Sequence, residues 1–224
     1  MAIEPTRINF SYRLCRFLLY LVSIFWFRCR VFHRERVPEQ GAVIIAANHI
    51  SYMDPIFICC AVKRMVVGLA RASVFKAPVI GRLLYSWNVI PVDQEGTGRG
   101  LKTFFTRLLG GDAVMMFPEG ERSLTGQILS PQPGVGLIIL KSTAPVVPAK
   151  VFGAFEAFGR HHTLPRPFSV QLKFGEPLDF TDLRAEAKRT KDKVRLKELY
   201  RQAATDLLHA IATLEPGPDK EKKL

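Results

Sequence analysis

The sequence predicts an α/β fold: a single-domain sandwich in which helices flank a largely parallel central sheet. Three observations lead there. Short apolar runs of β type alternate with segments of helical spacing from about residue 42 to residue 174, the pattern of strand–helix–strand units. The runs 42–47 and 113–117 are apolar throughout and read as buried strands. A chain of 224 residues with 48% hydrophobic content is long enough for one sizeable core, shows no break in composition that would divide it, and is not mainly disordered.

Taken in order, residues 1–36 form an N-terminal helical segment, 37–214 the main domain and 215–224 a disordered tail. Within the first part, Phe17 to Phe27 is a run without charge and without a small-residue cleavage site behind it, so it is not read as a cleavable signal. A helix from Leu14 to Phe27 would reach about 21 Å, short of the roughly 30 Å of a hydrocarbon core. Arg13 and Arg16 precede the uncharged run, and Arg28, Arg30, Arg34 and Arg36 follow it. Such a segment suits an amphipathic helix embedded in one leaflet, with Tyr20 and Trp26 at the interface and guanidinium groups on lipid phosphates. A buried core helix is the main alternative, and a membrane-spanning helix a lesser one.

The main domain opens with a strand at 42–47 and a helix at 56–62. Met65 to Ala70 reads as a strand, 75–81 as a loop entering a short helix, and Trp87 to Asp93 as a strand ending in a turn. A basic, Gly-containing connection (96–100) leads to a helix over 101–109 and a strand over 113–117. A helix at 135–141, strands at 146–151 and 169–174, and one long basic helix over 183–214 complete the pattern.

The formal charge of +12 points to an anionic partner: nucleic acid, anionic lipid or a phosphorylated substrate. No zinc finger, helix-turn-helix spacing or RNP box is present, which argues against nucleic acid. Cys15, Cys29, Cys59 and Cys60 lack metal spacing, and the adjacent pair would make a poor disulfide, so a reducing compartment fits best.

Two stretches carry chemistry. Asn48-His49-Ile50-Ser51-Tyr52-Met53-Asp54 lies between the first strand and the helix that begins at Pro55. Histidine is the side chain best suited to take a proton near neutral pH, and a carboxylate commonly fixes its tautomer. Asp54 is five positions on, roughly 140° around a straight helix, so the pair meets only if His49 sits in a turn that folds back. A plainer reading also fits: Asp54 before Pro55 caps a helix, and Asn48 and His49 satisfy turn amides. One carboxylate can do both.

Phe117-Pro118-Glu119-Gly120-Glu121-Arg122-Ser123 follows a buried strand. Gly120 lets backbone approach a ligand closely, Arg122 offers a planar fork for phosphate, and Glu119 can hold that fork or the loop. An ordinary Pro-Glu-Gly turn with solvated charges is the alternative. His33, His161, His162 and His209 show no metal-type pattern and read as surface or structural.

Together and in this order, the two stretches resemble the glycerolipid acyltransferase family, whose best-known members are the 1-acyl-sn-glycerol-3-phosphate acyltransferases (PlsC-like). The resemblance covers most of residues 30 to 180. Asn48-His49 through Asp54 matches the family's His, four residues, Asp motif. Residues 117–123 match its Phe-Pro-Glu-Gly-x-Arg-Ser motif, with Glu121 where threonine is common. Ala70-Arg71 with Pro78 and Gly81 resembles the segment in which a basic residue helps hold phosphate. Residues 144–148 resemble the fourth block and place Pro148 near the acyl-donor region. One departure stands out: where the family's second block usually ends in Asp-Arg, this chain has Asp93-Gln94.

The resemblance implies transfer of an acyl group from a thioester to the free hydroxyl of lysophosphatidic acid, in phospholipid biosynthesis. His49 is the expected general base and Asp54 its orienting carboxylate. Arg122 and Arg71 are the expected phosphate ligands, with Gln94 beside them and Arg99 or Lys102 nearby. Asn48, Glu119, Gly120 and Pro148 support the motifs. Neither metal nor organic cofactor is expected; acyl-CoA or an acyl-carrier-protein thioester is the co-substrate. The expected partners are membrane lipids, a lysophospholipid acceptor and the acyl donor, and the expected location is a membrane, at its cytoplasmic face. Gln94 keeps open another lysolipid or aminolipid acceptor. A non-catalytic anionic-lipid binder and a His–Asp hydrolase are further alternatives, the latter without an activated nucleophile or metal cluster near His49.

Overall fold

The structure is a computed structural model that describes residues 10–92 and 99–219. Its elements in order are α1 (Phe10–Phe25), β1 (Arg30–Phe32), β2 (Val43–Ala47), α2 (Asp54–Ala61), β3 (Val66–Val67), β4 (Leu69–Arg71), α3 (Pro78–Ser86), β5 (Ile90–Val92), α4 (Arg99–Leu109), β6 (Ala113–Met116), α5 (Gly134–Lys141), β7 (Val146–Phe152), α6 (Ala154–Phe158), β8 (Gln171–Phe174), α7 (Thr181–Arg189) and α8 (Lys193–Ala212). Six strands form one sheet in the order β1-β8-β7-β2-β6-β3, and β4 pairs with β5 in a separate two-stranded sheet. Among the described residues only the β7–β8 pair of the main sheet is antiparallel, so the expected largely parallel α/β architecture holds.

Strand β2 sits between β6 and β7, parallel to both, and its five residues are all buried. They divide by the period-two pleat. Val43, Ile45 and Ala47 face a core shared with α1, α2 and α6, while Ile44 and Ala46 face one shared with α4, α5 and α8. A strand covered on both faces has no polar side to show, hence its unbroken apolar sequence.

Other expectations need correction. The strand expected over 65–70 is two short strands in different sheets, parted at Gly68. A Cβ there would lie 3.1 Å from the Met115 Cε. The single helix expected over 183–214 is two, α7 and α8. Thr190-Lys191-Asp192 contains neither glycine nor proline, but the Asp192 carboxylate accepts from the Val194 amide at 2.8 Å and starts a new helix. Strand β1, parallel to β8, was not expected, and it makes residues 30–32 part of the main sheet. The tail is not disordered from 215 onward. The Gly217 amide donates to Gln171 Oε1, and the Asp219 carboxylate lies 2.7 Å from both Arg36 and Lys173, which holds its pKa down to about 2. Residues 220–224 lie outside the described residues.

Helix α1 packs on α2 through Tyr12, Cys15 and Leu19. Ser23 is buried as well, and Arg16 turns inward to donate to the Val62 carbonyl, so it is not directed at lipid phosphate as expected. Phe10, Leu14, Phe17, Leu18, Val22 and Phe25 are exposed, Phe10 and Phe25 each by more than three quarters. The helix is thus apolar on its outer side as well as its inner one, unlike an ordinary surface helix, whose outer face is polar. Among the described residues no helix is long and apolar enough to cross a membrane.

Helices α5 and α8 cross so closely that a Cβ on Gly136 would lie 1.8 Å from the Tyr200 carbonyl oxygen. Gly136→Ala must therefore push the helices apart, an overpacking cost of about 1–3 kcal/mol. The expected result in thermal melts is a fall of several degrees in Tm. Gly134→Ala, with nothing within 4 Å of the added carbon, is expected to leave Tm unchanged or raise it.

Candidate active site

Because β2, β6 and β7 run parallel, the segments that follow them emerge at one edge of the sheet. This is the edge where open α/β sheets bind ligands. Strand β2 releases Asn48-His49, β6 releases Phe117 to Ser123, and β7 leads through Gly153 into α6.

Hydrogen bonds fix each segment to the others. Asn48 extends the β2–β7 pairing with its side chain: Nδ2 donates to the Val151 carbonyl at 3.1 Å, and Oδ1 accepts from the Val151 amide at 2.7 Å. The chain then turns back as the His–Asp spacing requires. Asp54 Oδ2 lies 2.9 Å from His49 Nδ1 and accepts from the Ile50 and Ser51 amides, both at 2.7 Å. One oxygen serves all three contacts; Oδ1 is buried without a partner. Asp54 is the first residue of α2 and not its N-cap, so its cap-like bonds run back into the turn. Both amides can only donate, so the oxygen is an acceptor and Nδ1 carries the proton. His49 Nε2 is thereby left with a lone pair. The ring stacks on Phe117 at 4.0 Å between centroids, tilted by 15°.

Glu119, almost fully buried, joins the second loop to the first. Oε1 accepts from the His49 amide at 2.7 Å and Oε2 from the Leu129 amide at 2.8 Å. Of its two expected roles it takes the second, holding the loop and not the Arg122 fork. Burial pushes its carboxyl above the ordinary range, and the two amide bonds oppose that rise. The Ser123 amide donates to the His49 carbonyl at 2.8 Å, a second tie between the loops. Gly120 has φ 72°, and a Cβ there would meet Gln132 Cγ at 2.6 Å, so the turn requires glycine.

Arg122 is half-buried beside this pair of loops. Its guanidinium carbon lies 3.6 Å from the centre of the Tyr52 ring, and its Nη1 is buried without a hydrogen-bond partner. Arg71 ends β4, exposed and without a polar partner among the described residues, opposite Val92 in the β4–β5 register. The structure does not bring it into contact with the other site residues. Gln94 lies outside the described residues, as does the side chain of Arg99. Lys102 is exposed on α4. Pro148 is buried in β7 beside Ala46 of β2, and its carbonyl accepts from the Gly175 amide. It is a central-strand residue close to the site edge. Among the described residues no group of three His, Cys, Asp or Glu side chains is placed to hold a metal ion.

Phe117, Tyr52 and Ser51 are site residues that motif reasoning did not single out. Ser51 Oγ donates to the Phe158 carbonyl and accepts from the Met53 amide. All three lie inside the two stretches, but nothing in their spacing distinguished them from filler.

A histidine held by a carboxylate, at the mouth of a parallel sheet beside an arginine without an ion pair among the described residues, is an arrangement able to take a proton and to attract an anion. The family model described as Acyltransferase matches residues 28–151, more than half of the chain, and the chain belongs to that family of acyl-transferring enzymes. It is similar to the 1-acyl-sn-glycerol-3-phosphate acyltransferase of Bacillus subtilis (strain 168), 27% identical over 173 residues that cover 76% of this chain and 84% of that one. The enzyme of the same description from Limnanthes douglasii is 27% identical over 62% of this chain, which spans about half (51%) of the plant protein. Among solved structures, the 1-acyl-sn-glycerophosphate (LPA) acyltransferase PlsC from Thermotoga maritima shares the fold. Its TM-score is 0.68 at 21% identity, over 92% of this chain and 82% of that one.

Glu119→Ala removes the acceptor of two amides, a loss of about 1–3 kcal/mol for each amide left without one. The expected outcome is a clear fall in Tm together with loss of activity, since His49 loses one of its two backbone ties to the second loop. Glu119→Gln keeps one carbonyl oxygen and is expected to lose less. Melts on both variants check this.

Proposed function

We propose that the chain transfers a fatty acyl group from a thioester to the free hydroxyl of lysophosphatidic acid, with His49 as general base. The observation that carries this reading is the His49–Asp54 contact, which leaves Nε2 as the acceptor at the sheet edge. Nε2 takes the proton of the acceptor hydroxyl, and the oxygen attacks the thioester carbonyl carbon. As the tetrahedral intermediate collapses, the carbon–sulfur bond breaks. The thiolate then takes the proton from His49, giving ester and free thiol. Asp54 holds the ring and stabilises the imidazolium.

The loop hydroxyls and the state of the buried thiols support attack by the acceptor itself. Ser51 Oγ is bonded to Phe158, and Ser123 Oγ accepts from the Thr125 amide. Burial pushes the Cys59 and Cys29 thiols up to about 12 and Cys60 up to about 11, far from nucleophilic thiolates. Arg122, with Arg71 and Gln94 as further candidates, takes the acceptor phosphate. The donor is acyl-CoA or an acyl-carrier-protein thioester.

The exposed apolar face of α1 supports a place in one leaflet of a membrane, with Tyr20 and Trp26, both about half exposed, at the interface. The cytoplasmic face is the side on which such an enzyme would meet either thioester. An amphiphilic acceptor would then reach His49 without leaving the bilayer.

Radiolabelled acyl transfer to a panel of lysolipids tests the reading. Lysophosphatidic acid is expected to be the preferred acceptor. A zwitterionic lysolipid or an aminolipid as best substrate would replace it and point to Gln94. His49→Ala is expected to fold and lose at least about 10²-fold in rate, with Asp54→Asn also severely impaired. Near-normal turnover by His49→Ala would end the mechanism.

Membrane attachment is tested without deleting α1, because its inner face is part of the core. Serine at Leu14, Leu18 and Phe25 together is expected to release the protein from anionic vesicles in flotation while leaving Tm intact. High salt should weaken wild-type binding only in part. Complete release by salt alone would mean that charge, not the apolar face, holds it.

A further inference from the structure

The Arg122 guanidinium is fixed in place without being neutralised. Arg36, Arg107 and Arg195 each hold a carboxylate. Arg122 makes no ion pair among the described residues. The nearest buried acid in its loop, Glu119, spends both oxygens on the His49 and Leu129 amides. What contacts Arg122 instead is the face of Tyr52, 3.6 Å from the guanidinium carbon. The Tyr52 ring is itself held: it packs on Phe158 at 5.0 Å between centroids, and its amide donates to the Phe158 carbonyl at 3.2 Å. Ser51 Oγ ties the same carbonyl from the adjacent residue.

An aromatic face orients a guanidinium through its quadrupole and leaves the N–H edges free. A carboxylate would orient it equally well but would occupy those edges and cancel the charge. Here one edge atom, Nη1, is buried with no acceptor among the described residues, and an anionic oxygen is the partner such an atom suits.

We infer that Tyr52 is a positioning residue for the acceptor's headgroup: it holds Arg122 flat and fully charged so that the guanidinium fork selects a phosphate monoester. This inference rests on the reading that Arg122 takes the acceptor phosphate. Tyr52 touches no reacting atom, so it sets acceptor affinity and not the chemical step. It lies in the His–Asp turn and Arg122 in the second loop, so the contact also links headgroup recognition to the segment that carries the base.

Initial rates with lysophosphatidic acid at saturating thioester test this. Tyr52→Leu is expected to raise KM for the acceptor by about 3- to 30-fold while kcat stays within about threefold. Tyr52→Phe, which keeps the aromatic face, is expected to recover most of that loss. Tyr52→Glu, which can pin Arg122 but neutralises it, is expected to raise KM at least as much as leucine. Tyr52→Gln stands in should the leucine variant aggregate, since the side chain is 45% exposed. Arg122→Ala is the reference. If it raises KM and Tyr52→Leu does not, the positioning role is overturned while Arg122 keeps its assignment. If Tyr52→Phe is as impaired as leucine, the hydroxyl matters and the face does not, which overturns it too. A Tyr52→Glu enzyme with wild-type KM would contradict the need for uncompensated charge. If Arg122→Ala leaves KM unchanged, the phosphate reading itself fails.

Discussion

The Glu119 carboxylate, bonded at 2.7 Å to the His49 amide, is the contact on which the rest of the site depends. Strands β2 and β6 bring two loops to one edge of the sheet, but parallel strands alone leave their loops free to diverge. Glu119 closes the gap by holding one amide from the first loop with Oε1 and one from beyond the second with Oε2. The carboxyl is almost fully buried, and burial disfavours its charge. The anion is sustained by those two donors, so loop geometry and the state of Glu119 are one property. Asp54 repeats the device on a smaller scale, gathering His49 Nδ1 and two amides on one oxygen. Both carboxylates act on backbone, and both leave His49 Nε2 as the free acceptor.

Around this frame the chain sorts its charges by task. Arg16 turns inward to a carbonyl at the end of α2, while Arg36 and Lys173 hold the Asp219 carboxylate near the C-terminus. In the site loops, Arg122 carries an edge atom that is buried and has no hydrogen-bond partner among the described residues. The net charge of +12 is therefore a sum of structural and available cations, and composition could not separate them. The same holds for apolar surface. Helix α1 places Tyr12 and Leu19 against the core and leaves Phe10, Phe17 and Phe25 outside. One helix thus serves as a core layer on one side and presents an exposed apolar surface on the other.

Much of this could be read in the sequence. Buried strands of a parallel sheet are continuous apolar runs, so β2, β6 and β7 were legible. The His–Asp turn followed from geometry, since five residues on a helix cannot bring the pair together. Less was legible where local signals are weak. The break between α7 and α8 rests on one Asp192 cap without glycine or proline, and periodicity ran through it. Strand β1 has three residues and exists because β8 offers it an edge 141 positions away. The roles of Tyr52 and Phe117 depend on which ring faces which group, and that is set by tertiary contact alone. Glu119 was placed among the site residues, but whether it held Arg122 or the loop could be decided only by the partners of its two oxygens.

The central claim is that His49 activates the acceptor hydroxyl directly, so that no acyl group is ever attached to the protein. Rapid mixing of the wild-type enzyme with an acyl thioester, followed by thiol release on the first turnover, tests it most directly. Without acceptor, no release above the hydrolytic background is expected. With lysophosphatidic acid present, thiol and acylated lipid should appear together in equal amounts. A burst of thiol equal to the enzyme concentration in the absence of acceptor would mean a covalent acyl-enzyme, and would contradict the account.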